Sequence, residues 1–270
     1  MGLYDIMDEI ATKQVTKSEM GDNRLLGVVV GIVVNNYNEK MPGRVCVQIP
    51  VRDDKANELK WARVAMLSGG KEWGHYFLPE VGDQVLLAFE QGNIEKPYVV
   101  GCISKENDRF LTRSVHEKNQ IKRIVTKNGN TIQFDDMEDE EGKQDKISIY
   151  TSDKAHQMIL DNEKQKIIMS DKEGKNKLEI ESENGNIEIS AESRLKIKVG
   201  DNIELLMNSD SGTVTLKCGK FKVEASEGIE QKSSGKVGIS GSNLKMEASS
   251  SLKLESSSMV SVAGSPIKIG

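Results

Sequence analysis

The chain has 270 residues, of which 37% are hydrophobic and 29% charged, and a formal net charge of −5, enough material for one or two domains. No run approaches the ~18 consecutive apolar residues of a membrane helix, and the acidic balance speaks against a nucleic-acid partner. Cys46, Cys102 and Cys218 are scattered and without CxxC spacing, which excludes a disulfide framework and a thiolate metal site. They read as reduced core residues of a protein made in a cytoplasm, and no signal peptide is expected, because Met1–Met20 lacks a basic start followed by an apolar run.

At the N-terminus Leu3, Ile6, Met7 and Ile10 recur at helical spacing, with Asp5, Asp8 and Glu9 on the other face. This predicts a short amphipathic helix whose stripe packs on its own domain or docks on a separate protein. Thr12–Arg24 is polar and reads as a linker, giving a first segment of residues 1–24.

Residues 25–103 read as all-β. Leu25–Val34 is a long apolar run broken by Gly27 and Gly31, as for a curved strand with bulges. Arg44–Val51 and Trp61–Met66 alternate, and Tyr76–Leu78, Gln84–Glu90 and Tyr98–Cys102 complete a set of five or six short strands, with Pro79–Asp83 and Gln91-Gly92-Asn93 as turns. That count in about 80 residues predicts a small OB-type barrel, with Trp61, Phe77 and Phe89 filling it. Aromatics make up only 4% of the chain and concentrate between Tyr37 and Tyr98.

The stretch Gly43–Ile103 resembles the OB domain of contractile-machine spike proteins: the tail spike of myophages, phage baseplate assembly protein V and the VgrG spike of type VI secretion. The matching points include Gly43-Arg44-Val45, Trp61-Ala62-Arg63-Val64, Gly74, the Phe77-Leu78-Pro79-Glu80-Val81-Gly82-Asp83 string, Val85, Phe89, Gly92, Pro97-Tyr98 and Gly101. Of these, Gly43, Trp61, Phe77, Pro79, Gly82, Asp83 and Phe89 are taken as the OB-domain motif. None is catalytic. Residues 104–130 are taken as a connector, and from Lys122 to Asp136, overlapping its end, the resemblance continues through a strand, a Gly-containing turn and a strand ending in Asp135-Asp136, with Asn130 where the family usually has His.

Residues 131–270 repeat a short pattern. Apolar pairs separated by one polar residue begin irregularly at Ile147/Ile149, Ile159, Ile167/Met169 and Leu178/Ile180. They then return about every seven or eight positions: Ile187/Ile189, Leu195/Ile197, Ile203/Leu205, Val214/Leu216, Phe221/Val223, Val237/Ile239, Leu244/Met246, Leu252/Leu254, Val260/Val262 and Ile267/Ile269, with Gln231 in place of an apolar partner for Ile229. Spacing two is the strand period, and a fixed internal period marks a stacked, quasi-one-dimensional architecture. One strand and a turn in about eight residues covers only one face of a prism, and two apolar residues per strand cannot enclose a core alone. The economical solution is three identical chains wound into an intertwined β-helix, with Leu244, Met246, Leu252, Leu254, Val260 and Val262 on its axis. The alternative is a flat array of β-hairpins or an ordinary sandwich, disfavoured because sandwich strands vary more in length and usually carry aromatics, whereas Phe221 alone follows Tyr150 here. Lys222, Lys245 and Lys253 with Glu224, Glu247 and Glu255 read as a solvated outer face.

Candidate chemistry is sparse. His75, His116 and His156 are isolated, the acidic run Asp135–Glu141 reads as a solvated loop, and the Ser-rich tracts have no partnered base, so no catalytic residue, metal site or cofactor is expected. The resemblance implies a homotrimeric central spike of a contractile injection apparatus (phage tail, extracellular injection system or type VI-like machine), part of an assembled particle that mechanically punctures a target envelope and contacts the target membrane transiently. It further implies a baseplate hub bound through Leu3, Ile6, Met7 and Ile10, and a PAAR-type tip protein seated on Ile267, Ile269 and Gly270, where the apolar pattern runs to the last residue without a polar cap. The competing classes are an OB-fold nucleic-acid binder with a structural tail, disfavoured by net acidity, and a monomeric β-helix carbohydrate-active enzyme, disfavoured by the short period and the lack of clustered acids.

Overall fold

In the first β-ladder of the barrel, buried and half-exposed positions alternate along the strand. This period-two pattern runs through β3 (Val28–Asn35) and β6 (Gln84–Phe89), because successive side chains leave a strand on opposite faces. The computed structural model describes residues 15–17, 23–25, 27–49, 59–138 and 141–268. The predicted N-terminal helix, with Leu3, Ile6, Met7 and Ile10, lies outside them. Within the stretch expected to be a linker, β1 (Val15–Lys17) pairs antiparallel with β2 (Asn23–Leu25).

β3, β4 (Arg44–Gln48), β5 (Lys60–Val64), β6 and β7 (Pro97–Ile103) close a barrel in the order β3-β4-β5-β7-β6. All its ladders are antiparallel except β5–β7. The core is small and aliphatic, with Val29, Val33, Val45, Val47, Ala62, Val85, Leu87 and Val99 buried together with Phe89. Gly31 sits inside this core, where a Cβ would lie 2.7 Å from Leu87 Cδ1; the Leu87 side chain occupies the space that a side chain at position 31 would need. The register shift of β3 against β4 falls between Val33 and Asn35, downstream of the two glycines at which bulges were expected.

Three expectations are corrected here. Trp61 does not fill the barrel: Val45 pairs with Ala62 and Cys46 with Trp61, so strand parity sends Ala62, fully buried, inward and Trp61 outward. Phe77 is 51% exposed and stacks on His75 with ring centroids 4.5 Å apart. Tyr76–Leu78 forms no strand; the loop is held instead by the Gly69–Gly74 bridge and a His75 N–H to Ser68 carbonyl bond of 3.0 Å. Parity thus excludes Trp61, and Phe77 sits on a loop and not on a barrel strand, so of the three aromatics only Phe89, at the end of β6, belongs to the core.

After a short helix, α1 (Arg109–Ser114), seven strands run as an antiparallel meander. They are β8 (Ile121–Val125), β9 (Thr131–Asp135), β10 (Lys146–Tyr150), β11 (His156–Asp161), β12 (Lys166–Asp171), β13 (Lys177–Glu181) and β14 (Asn186–Ser190), each paired with its chain neighbours. Their turns carry residues in the left-handed region, among them Gly129, Gln165, Gly174 and Gly185, which tight hairpin connections demand. A three-stranded sheet follows, of β15 (Arg194–Val199), β16 (Ile203–Asn208) and β17 (Thr213–Lys217). The described residues fall into two compact units, drawn from Met1–Leu195 with Met207–Thr213 and from Lys196–Leu206 with Val214–Gly270. Past β17, residues 218–268 form no strand ladder within the chain.

Candidate assembly surfaces

The seven-stranded sheet has two unlike faces. On one, the register aligns Ile124, Ile132, Ile149, Met158, Met169, Leu178 and Ile189 in a continuous row across the strands. A second row beside it joins Phe134, Ile147, Leu160, Ile167, Ile180 and Ile187. Many of these side chains stay exposed, Ile187 at 70%. Ile159, singled out in the sequence, belongs to the other face, opposite Ser148 and Ile168; Met158 and Leu160 take the apolar positions on β11. The signal that could have found them is parity with the neighbouring strands.

The opposite face is a ladder of charge. Lys166 contacts Glu179 at 2.7 Å and Glu181 at 3.1 Å, and Lys177 contacts Glu179 at 3.1 Å. The Lys166 and Lys177 ammonium groups hold the Glu179 carboxyl below its ordinary value. At the buried end of β11, Asp161 accepts the Lys164 backbone N–H at 3.0 Å and pairs with Lys146 at 2.9 Å. Burial alone would raise this carboxyl, but these partners outweigh it and hold it low. Nearer the barrel, Arg123 donates to the Tyr150 hydroxyl and the Arg113 carbonyl, both at 3.3 Å.

Downstream, every apolar residue of the repeat from Phe221 to Ile267 is exposed. This includes the predicted axial residues Leu244, Met246, Leu252, Leu254, Val260 and Val262, and Ile267 of the predicted tip site; Ile269 and Gly270 lie outside the described residues. Lys222–Glu224, Lys245–Glu247 and Lys253–Glu255 form ion pairs two residues apart along the chain. Alternation therefore segregates charge from apolar surface, yet among the described residues nothing covers the apolar side.

The OB-domain motif sets turns. Gly43 and Gly82 adopt φ of +75° and +94°. Pro79 is buried, and its carbonyl accepts from Asn36 Nδ2 at 3.2 Å. Asp83 caps the same turn, its Oδ2 accepting the Glu80 N–H at 2.8 Å, while Gly82 N–H donates to Val33 carbonyl at 2.8 Å. Glu80 then meets Lys127 of the β8–β9 turn at 2.9 Å, linking barrel and sheet. Of the cysteines, only Cys46 is buried; Cys102 and Cys218 lie outside the core, correcting the expectation for those two.

No group of three or more His, Cys, Asp or Glu side chains able to hold a metal occurs among the described residues. In the acidic run, Glu138 pairs with Lys118, and Asp136 with Lys122 at 3.0 Å. A shallow polar cleft is lined by Asn176, Glu192, Ser193, Arg194, Asn208 and Asp210. No described helix is long and apolar enough to cross a membrane.

Comparison with known proteins bears on the barrel. Residues 29–103 match the type VI secretion system/phage-baseplate injector OB domain. The chain is similar to the type VI secretion system spike proteins VgrG2a and VgrG5 of Pseudomonas aeruginosa. Identity is 29% over 115 residues to the first and 35% over 95 residues to the second, covering 39% and 32% of this chain. The matches span 14% and 12% of those relatives' own lengths. The barrel β3–β7 is therefore the part of the chain that matches the injector OB domain of type VI secretion and phage-baseplate machines, and the chain is VgrG-like over the stretch it shares with those spike proteins.

Proposed function

We propose that the protein is the homotrimeric central spike of a contractile injection apparatus, docking on a hub and mechanically puncturing a target envelope. The observation that carries this reading is the bare apolar surface. Much of the two rows on the meander, and every apolar residue of the repeat from Phe221 to Ile267, is exposed in a single chain, downstream of a barrel that matches the injector OB domain. Contiguous exposed apolar surface marks an interface. Three copies meeting on a threefold axis would bury both rows and every pair, and would supply the strand neighbours that residues 218–268 lack.

In this assembly residues 25–103 form the collar and residues 131–270 the needle, joined by the connector 104–130. The role is mechanical and not enzymatic, and it calls for no nucleic acid. The N-terminal stripe Leu3, Ile6, Met7 and Ile10 within residues 1–24 would meet the hub, and the Ile267, Ile269, Gly270 layer would seat a PAAR-type tip protein. Both partners are extensions supported by the resemblance to spike proteins.

Mass in solution tests the reading directly. Light scattering should return three times the 29.9 kDa chain, in a species that resists denaturant because the needle has no core until three chains share it. A monodisperse monomer would overturn both architecture and function.

A further inference from the structure

Two kinds of strand register occur in this chain. From β8 to β14 each strand pairs with its chain neighbours through turns that carry left-handed residues, and such turns fix register. Past Gly212 no described residue has positive φ, and residues 218–268 form no ladder within the chain. No turn of the chain sets the register of that segment, so neighbouring chains must set it. The segment is also nearly degenerate. Phe221/Val223, Val237/Ile239, Leu244/Met246, Leu252/Leu254 and Val260/Val262 recur every seven or eight residues, and a chain displaced by one repeat meets the same apolar pattern. Weakly specified strands slip. The one interruption is Ile229/Gln231.

We propose that Gln231 sets the register in which three copies of residues 218–268 assemble. This rests on the trimeric reading above. In register, three Gln231 carboxamides share one layer, and each offers two N–H donors and a carbonyl acceptor to its neighbours. With one chain displaced, a carboxamide is left among apolar side chains with its hydrogen bonds unmade, while the other two lose a partner. A single polar residue in an otherwise apolar repeat plays this part in coiled coils, fixing register at a cost in stability. Gln231 thus confers specificity, and its removal should raise stability.

The full-length chain is refolded from denaturant as wild type, Gln231→Leu, Gln231→Asn and the double variant Gln231→Leu/Ile239→Gln. The readouts are solution mass, melting temperature and protease cleavage, since a displaced chain extrudes one repeat as a cleavable bulge. Gln231→Leu trimers should melt higher than wild type and contain a displaced, cleavable fraction raised roughly tenfold, equivalent to about 1.4 kcal/mol of lost discrimination. Gln231→Asn keeps the carboxamide and should stay uniform. The double variant moves the polar layer by one repeat and should restore uniformity. Uniform, uncleaved Gln231→Leu trimers, or a double variant as heterogeneous as Gln231→Leu, would overturn the proposal while leaving the trimer standing. A monomeric wild type would overturn both.

Discussion

Gly31 and Asp161 show how single residues act through packing and charge. At Gly31 the backbone is ordinary, and the constraint is the 2.7 Å approach that a Cβ would make to Leu87 Cδ1. Leu87 is itself fully buried and has little room to withdraw. Gly31→Ala should therefore destabilise the barrel by about 1–3 kcal/mol, the usual cost of overpacking, with Gly31→Val costing more; chemical denaturation monitored through the barrel tryptophans measures it. Asp161 makes a prediction about pH. Its folded carboxyl is held low by the Lys164 N–H and Lys146 against the opposing effect of burial. The stabilisation is therefore present above the unfolded carboxyl value of about 3.9, and it fades as pH falls through the lower folded value. At pH 7 Asp161→Asn should cost about 1.5–3 kcal/mol, the range for a hydrogen bond to a charged group. The gap between variant and wild type should close in acid; a gap constant down to pH 2 would mean that the carboxylate charge contributes nothing.

Among the elements, the two-faced meander makes the sharpest claim. Ile187 is 70% exposed in the single chain and Leu252 is 60% exposed. If both were solvated, replacing either with Asp would change stability by no more than about 0.5 kcal/mol. On a threefold axis the same change brings three carboxylates into an apolar layer at a cost of several kcal/mol. Ile187→Asp and Leu252→Asp should therefore abolish or sharply lower the melting transition of the assembled protein, while Lys253→Gln on the outer face should leave it unchanged. Calorimetry of the three variants separates axis from surface. The outer ion pairs contribute little individually at such exposure, and their place in the element is to keep the array soluble.

For the whole molecule, collar and needle should be separable in function. Deleting residues 1–17 should leave a trimer, lighter only by the deleted residues, that no longer incorporates into baseplates, because the proposed hub stripe is gone while every proposed axial residue remains. Loss of the trimer would instead assign the N-terminal stripe to self-packing. The ion pair between Glu80 and Lys127 joins the barrel's Pro79–Asp83 turn to the first hairpin of the meander, a contact that adds little at such exposure.

Local period alone determined much of this protein. Alternation of apolar residues, the Gly and Pro turns and the Phe77–Asp83 string made the barrel legible, because strand parity and turn geometry are short-range properties of the chain. The repeat itself, and its separation of charge from apolar pairs, could be read for the same reason. Tertiary structure decided what depends on which strand lies opposite which. Parity against β4 turned Trp61 outward and put Ala62 inside; Phe77, on a loop and not on a barrel strand, stayed on the surface beside His75. Cross-strand register moved the apolar face of β11 from Ile159 to Met158 and Leu160 and collected residues from β8 to β14 into two rows. The unmade ladder of residues 218–268 belongs to the same class: a strand's partner is a long-range fact, and the described residues supply none for that segment.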